Sequence, residues 1–300
     1  MIPRPRPERF RLRRTMMFMN AQKPGLIKDA YIYGVDSIML DLEDAVAENQ
    51  KDSARFSLYH ALKTIDYGDT EVIVRINGLD TPHWQEDIRC AVAGGADGVR
   101  IPTQDVKTVE EHVLAAEKEF GVEEGRTLIM AALESPKGVL NAYEIASASD
   151  RLFGIALSAG DFHRSMHTHY VPGGIELNTA RNLIVMSARA AGVQCFDTVF
   201  TNLDDEEGFE NEVRMIHDMG FDGKSLINPR QIAFVHQTLA PTPEEIATAE
   251  TYVRTYEEQS KLGVGVYTVN GKMVDVAFIP GAERTLRLAK ACGMYEGDLV

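Results

Sequence analysis

Eight short apolar runs, separated by helical stretches and joined by short connections, predict an α/β chain closed into a (β/α)8 TIM barrel. Most of these runs are apolar throughout, as strands covered on both faces are. Alternation of strand and helix calls for a parallel sheet, and eight repeats are enough to close one. The 300 residues, 44% of them hydrophobic, suffice for such a barrel and an appendage. A doubly wound open sheet is the alternative. Against its dinucleotide-binding form, no GxGxxG follows the first strand.

The elements follow in order. TMMFM (15–19) is the first strand, and SIMLDL (37–42) the second. The helical stretch QKDSARFSLYHALKTI (50–65) leads to EVIVRI (71–76). The pair Gly94-Gly95 marks a turn before DGVRI (97–101). DVKTVEEHVLAAEKEF (105–120) is helical and precedes TLIMAAL (127–133). PKGVLNAYEIASA (136–148) supplies the next helix, before LFGIALS (152–158). DFHRSMHTHY then reads as a long loop, with a turn at Gly173-Gly174, ahead of VQCFDTV (193–199). GFENEVRMIHDMG (208–220) carries Phe209, Val213, Ile216 and Met219 at helical spacing, and DGKSLI (222–227) is the eighth strand.

From about residue 240 the pattern changes. APTPEE is a helix start, and the helix runs to about Leu262. GVGVYTVNGKMVDVAF reads as a β-hairpin with a type I′ turn at Asn270-Gly271, and a final helix covers 281–292. Residues 1–240 are therefore expected to form the barrel. Residues 241–300 form a C-terminal helical and β-hairpin extension, which packs on the barrel or covers a neighbouring subunit's site.

A net charge of −14 argues against a nucleic-acid surface, despite the basic segment PRPRPERFRLRR. That segment lacks the apolar stretch of a signal peptide, and no apolar run is long enough to span a bilayer. Cys90, Cys195 and Cys292 are isolated, which fits reduced thiols in a cytoplasmic protein.

The chemistry is expected where strands end, because the carboxyl ends of barrel strands converge on the catalytic rim. Glu134 follows the fifth run and Asp161 the sixth. Two hard oxygen ligands suit Mg²⁺, which keeps several waters. The plainer reading is a pair of cap or turn carboxylates. Arg75 closes the third run and offers a fork to a carboxylate or enolate oxygen, or else pairs with Glu43 or Asp44. In the DLED segment, alternation sets Asp41 and Glu43 on one side and Asp44 on the other while the chain stays extended. These carboxylates would orient metal-bound waters or hold Arg75 and Arg14. His163, His167 and His169 match no common closed zinc site and are expected in solvent. Lys224 either forms a Schiff base or pairs with a carboxylate inside the barrel.

The chain resembles the citrate lyase β-subunit family, within the citryl-, malyl- and citramalyl-thioester lyase superfamily. LRRTMMF, YGVDSIMLDLEDAV, KDSAR, VRINGLDT, GGADGVRIP, ALESPKGVLNA, IALSAGD, CFDTVF, GFDGKSLINPRQI and NGKMVD carry the resemblance, in that order along nearly the whole chain. It implies a (β/α)8 barrel, Mg²⁺, and retro-Claisen cleavage of a citryl thioester to oxaloacetate and an acetyl thioester. The family's metal-binding residues fall on Glu134 and Asp161, and its substrate-binding arginine on Arg75. Its first-strand arginine falls on Arg14, and a base acting across a subunit interface on Asp275. The resemblance also implies an acyl-carrier protein as thioester carrier, α and γ partner subunits, and a homotrimer or homohexamer. A free-standing citramalyl-, malyl- or citryl-coenzyme A lyase is the alternative, and a metal-dependent aldolase on free acids is another. Met19-Asn20, Gly160 and Val276-Ala277-Phe278 depart from the family pattern and keep open a non-catalytic assembly subunit.

Overall fold

The computed structural model describes residues 5–102, 105–269 and 271–300. The chain divides into two compact units, Met1–His236 and Gln237–Val300.

The first unit is a closed parallel barrel of eight strands in sequence order. They are β1 (Thr15–Asn20), β2 (Ser37–Asp41), β3 (Glu71–Arg75), β4 (Gly98–Ile101), β5 (Leu128–Leu133), β6 (Leu152–Leu157), β7 (Gln194–Asp197) and β8 (Gly223–Leu226). Each predicted run coincides with its strand to within one or two residues at either end. The helices are α1 (Pro24–Ile27), α2 (Lys51–Thr64), α3 (Trp84–Gly94), α4 (Val106–Phe120), α5 (Pro136–Leu140) and α6 (Ala142–Ala146). They continue with α7 (Ala159–Met166), α8 (Asn178–Ala191), α9 (Glu206–Met219) and α10 (Ile232–Thr238), which runs across the boundary between the units.

Side-chain alternation divides the barrel interior into three levels. At the amino-terminal end, Arg13 is fully buried and grips Glu71 with Nε and Nη2, at 2.8 and 2.7 Å. Ser37 donates to the same carboxylate at 2.7 Å, and the Arg13 guanidinium lies 4.0 Å from the centroid of the Phe153 ring. Above this plug sits an apolar layer that includes Met16, Met39, Ile73, Met130, Phe153 and Phe196. The third level is polar. Strand register sets Asn20 beside Asp41, Asp41 beside Arg75, and Arg75 beside Arg100. Gly223 lets β8 meet the plug segment, since a Cβ there would come within 2.0 Å of the Arg13 carbonyl oxygen.

Outside the strands, Lys224 faces the helix layer. Its Nζ donates to Asp197 at 2.8 Å and Glu212 at 2.6 Å, and Arg181 holds the same two carboxylates. The expected carboxylate partner exists, but it stands behind the sheet and not within the barrel.

Two helical expectations need correction. The stretch 136–148 is two short helices, because Asn141 (φ −101°, ψ 16°) leaves the helical region between them. The segment after β6 is a helix, not a loop. It buries Ala159 and Phe162, one turn apart, and ends where His167 turns left-handed at φ 55°.

In the second unit, α11 (Pro243–Lys261) begins at a Thr242/Glu245 capping box, with Pro243 first in the helix. The antiparallel strands β9 (Val266–Val269) and β10 (Lys272–Asp275) form the expected hairpin, whose Asn270 lies outside the described residues. The final helix, α12 (Ile279–Ala291), starts two residues earlier than predicted and packs on α11 through Ala282, Leu286 and Ala289 against Ile246, Ala249 and Val253.

Candidate active site

The polar third level opens into a cavity of about 350 Å³ at the carboxyl ends of the strands. Phe18, Arg75, Arg100, Ser158, Asp161 and Ser225 are among its walls.

Arg75, the last residue of β3, is gripped on one side by Asp41. Nε donates to Asp41 Oδ1 at 2.8 Å and Nη2 to Oδ2 at 2.6 Å. Nη1 lies 2.7 Å from Glu43, not aligned as a hydrogen bond, and 3.4 Å from Asp44. Asp44 reaches Arg75 together with Asp41 and Glu43, because extended structure ends at Asp41 and alternation no longer applies. Burial opposes the Arg75 charge, but hydrogen bonds and charge from Asp41, with Glu43 and Asp44, hold its pKa above the ordinary value. Burial pushes the Glu43 carboxyl up to about 8; Arg75 pulls it back, while Glu134, Asp44 and Asp41 push it up further.

The DLED turn is held from behind by Lys51, in the KDSAR segment. Its buried Nζ donates to the carbonyls of Leu42 (2.8 Å) and Glu43 (2.7 Å) and to Asn77 Oδ1 (2.6 Å). Asn77 is fixed in turn by Asp87, at 2.6 Å.

Arg100, third in β4, was not among the residues expected in the site. Its side chain is buried, yet Nε and Nη1 have no partner and Nη2 only a 3.3 Å contact with Ser158. Burial, with the Arg75 charge adding, pulls its pKa down to about 10. An arginine as the penultimate residue of an apolar strand was the available signal. Phe18 lies 5.2 Å from the Arg75 guanidinium and 5.0 Å from that of Arg100, within cation–π range of both.

Glu134 directly follows β5. Asp161 stands four residues beyond β6, in the first turn of α7. Ser165 ties the two segments together, with its Oγ 3.1 Å from the Glu134 carbonyl and 2.9 Å from that of Asp161. Glu134 Oε1 is buried without a partner. Burial raises the Glu134 pKa; Arg100 opposes this and the Asp161 charge adds to it. Glu134 also lines an adjoining pocket with Ser135, Lys137 and Gly138. Among the described residues, no three or more His, Cys, Asp or Glu side chains converge as a metal cage. A carboxylate pair with an orphaned buried oxygen nevertheless fits Mg²⁺, which takes one or two carboxylates and completes its shell with water and substrate.

The other expected residues lie elsewhere. Arg14 precedes β1 and is therefore at the opposite rim from Arg75, paired with Asp36 at 3.0 Å. In a parallel barrel, a residue before a strand cannot join residues after strands, so neither the DLED carboxylates nor a substrate on their rim reaches Arg14. His163 is half-buried and pairs with Glu176 at 3.1 Å, which corrects the expectation of free solvent exposure; His167 and His169 are exposed. Asp275 ends β10 in the second unit, where its Oδ1 accepts from Ala277 N at 2.9 Å.

A family model described as HpcH/HpaI aldolase/citrate lyase matches residues 14–229. The chain belongs to that family. It is 53% identical over 292 residues to the citrate lyase subunit beta of Leuconostoc mesenteroides subsp. cremoris, covering 96% of this chain and 97% of the relative. It is 34% identical to a (3S)-malyl-CoA thioesterase of Cereibacter sphaeroides, covering 95% and 97%. Among solved structures, the protein CitE from Mycobacterium tuberculosis, in complex with magnesium, acetoacetate and coenzyme A, superposes with a TM-score of 0.74 at 28% identity, covering 92% and 98%. The family and the citrate lyase β-subunit relatives make the chain a carbon–carbon lyase acting within the citryl-thioester lyase group. No helix among the described residues is long and apolar enough to cross a membrane.

Proposed function

We propose that the chain is the β-subunit of a citrate lyase. It would cleave citryl-[acyl-carrier protein] to oxaloacetate and acetyl-[acyl-carrier protein] in the cytoplasm, with α and γ partner subunits, as a homo-oligomer. The near-full-length 53% identity to a citrate lyase subunit beta carries this reading. Glu134 and Asp161 would hold Mg²⁺, which when bound supplies a Lewis acid for the hydroxyl and the developing ketone. The charge balance of the rim supports a divalent cation. Asp41, Asp44, Glu134 and Asp161 outnumber Arg75, Arg100 and the Arg164 that pairs with Asp161, even with Glu43 protonated, so a polyanionic substrate needs further positive charge.

The chain's own residues take the remaining roles. Asp275 of a neighbouring copy accepts the hydroxyl proton as the C–C bond breaks and its electron pair moves onto the acetyl carbon. Arg75, through Nη1, stabilises the resulting enolate, which is reprotonated to the acetyl thioester. Mixing Asp275→Asn with Glu134→Ala subunits tests the cross-subunit role, since mixed oligomers should regain activity that neither parent has.

The central test is oxaloacetate release from citryl-carrier protein and citryl-coenzyme A, with and without Mg²⁺, alongside calorimetric Mg²⁺ titration. Glu134→Ala and Asp161→Ala should weaken Mg²⁺ binding and lower kcat at least tenfold, about 1.4 kcal/mol in barrier. Full activity without Mg²⁺ would remove the metal role. The relative named as a malyl-CoA thioesterase and the coenzyme A complex favour a second reading, a lyase of coenzyme A thioesters. Turnover of coenzyme A thioesters alone would establish it.

A further inference from the structure

We propose that Arg100 binds the second carboxylate of the substrate's oxyacid portion, and so selects a dicarboxylic over a monocarboxylic ketoacid. The inference rests on the reading above and names a specificity residue for it.

Among the described residues, the other buried guanidiniums each hold a protein carboxylate. Arg13 holds Glu71, Arg75 holds Asp41, and Arg181 holds Asp197. Arg100 is 2% exposed and holds none. Its Nε and Nη1 lack partners, its Nη2 contact with Ser158 is long at 3.3 Å, and its side chain lines the cavity. A buried charge without a hydrogen-bonded counter-ion is costly. A ligand anion in the cavity would offset that cost. Ser225 Oγ, which lines the cavity from β8, is likewise buried without a partner.

The substrate's chemistry says which anion. After the thioester carboxyl is set aside, a citryl group keeps two carboxylates. One is on the carbon bearing the hydroxyl, and together with that hydroxyl it chelates a divalent cation. The other is at the end of a CH2 arm, out of reach of that chelate, and needs its own cation. Arg75 has Nε and Nη2 on Asp41, which leaves Nη1, beside Glu43 and Asp44, for the enolate. Arg100 is the guanidinium with two unpartnered nitrogens to give the arm. A hydroxyacyl thioester without the arm gains nothing from it.

The test is calorimetric binding of oxaloacetate and pyruvate, with Mg²⁺ present, to the full-length chain, Arg100→Met and Arg100→Lys. These acids differ by the arm's carboxylate. Arg100→Met should raise the oxaloacetate Kd at least tenfold and leave the pyruvate Kd within about threefold. Arg100→Lys should recover part of the loss. Arg100→Met should also melt no lower than the parent, because it removes a buried charge to which no protein carboxylate is hydrogen-bonded. Equal loss for both acids, unchanged oxaloacetate binding, or a melting point lowered by many degrees would each overturn the assignment. Wild-type protein that binds oxaloacetate while the variants bind it equally well rejects Arg100 alone. Wild-type protein that binds neither acid rejects this inference and the proposed function together.

Discussion

Asp197→Asn should be among the most damaging isosteric changes in the barrel wall. Asp197 is wholly buried and accepts three charge-assisted hydrogen bonds: from Arg181 Nε (2.9 Å), Arg181 Nη2 (3.0 Å) and Lys224 Nζ (2.8 Å). Burial pushes its pKa up, but the charges and hydrogen bonds of Arg181 and Lys224 prevail and hold it down at about 2. An amide in its place leaves two buried cations sharing one carboxylate, Glu212. Breaking a buried pair from one side costs about 3–5 kcal/mol. For a chain of this size that lowers Tm on the order of 10 °C. Differential scanning calorimetry and urea midpoints measure it. Adding Lys224→Met should restore part of the loss, because the remaining Arg181–Glu212 pair is again balanced. A Tm shift under about 2 °C, or a double variant worse than the sum of the singles, would refute the reasoning.

Two further expectations concern stability at low pH and the support of the rim. Burial raises the Asp36 pKa, but hydrogen bonds from His236 and Arg14, and then their charges, outweigh it and bring it from the ordinary 3.8 to about 2. A depressed carboxyl stabilises the fold above its unfolded pKa, and that contribution is lost as pH falls from about 4 to about 2, so Asp36→Asn should remove about 2 kcal/mol at neutral pH and flatten the acid limb of an urea-midpoint-versus-pH curve. An unchanged acid limb would contradict it. Lys51→Met should lower kcat more than it raises KM, because Lys51 holds the Glu43 carbonyl, and hence Arg75, without lining the cavity. A KM-only effect would mean that Lys51 supports substrate binding and not the placement of Arg75.

What was legible in the sequence was what has a short period. Strands buried on both faces announce themselves as apolar runs, so all eight were found, and their ends pointed to Glu134 and Arg75. Pairing between distant segments has no such signal. Nothing local separates Arg14, which holds Asp36 at one rim, from Arg75, which holds Asp41 at the other, until the topology is known. The same holds for Lys51, which reads as a surface helix residue until Leu42 and Glu43 turn their carbonyls toward it. The polar helix after β6 is hidden in the sequence because Gly160 and the histidines in and beyond it mask the spacing of Ala159 and Phe162. Arg100 was legible in principle, since an arginine inside GVRI breaks an apolar strand. That its donors are unmet could be seen only once its neighbours were placed.

The apolar layer and the Arg13–Glu71–Ser37 plug beneath it close the barrel below the cavity. Ligands enter and leave at one mouth. If cleavage occurs at the rim cavity, both fragments share one exit, and the piece seated deeper waits for the piece nearer the opening to clear. Order of departure is then a matter of depth as much as of affinity.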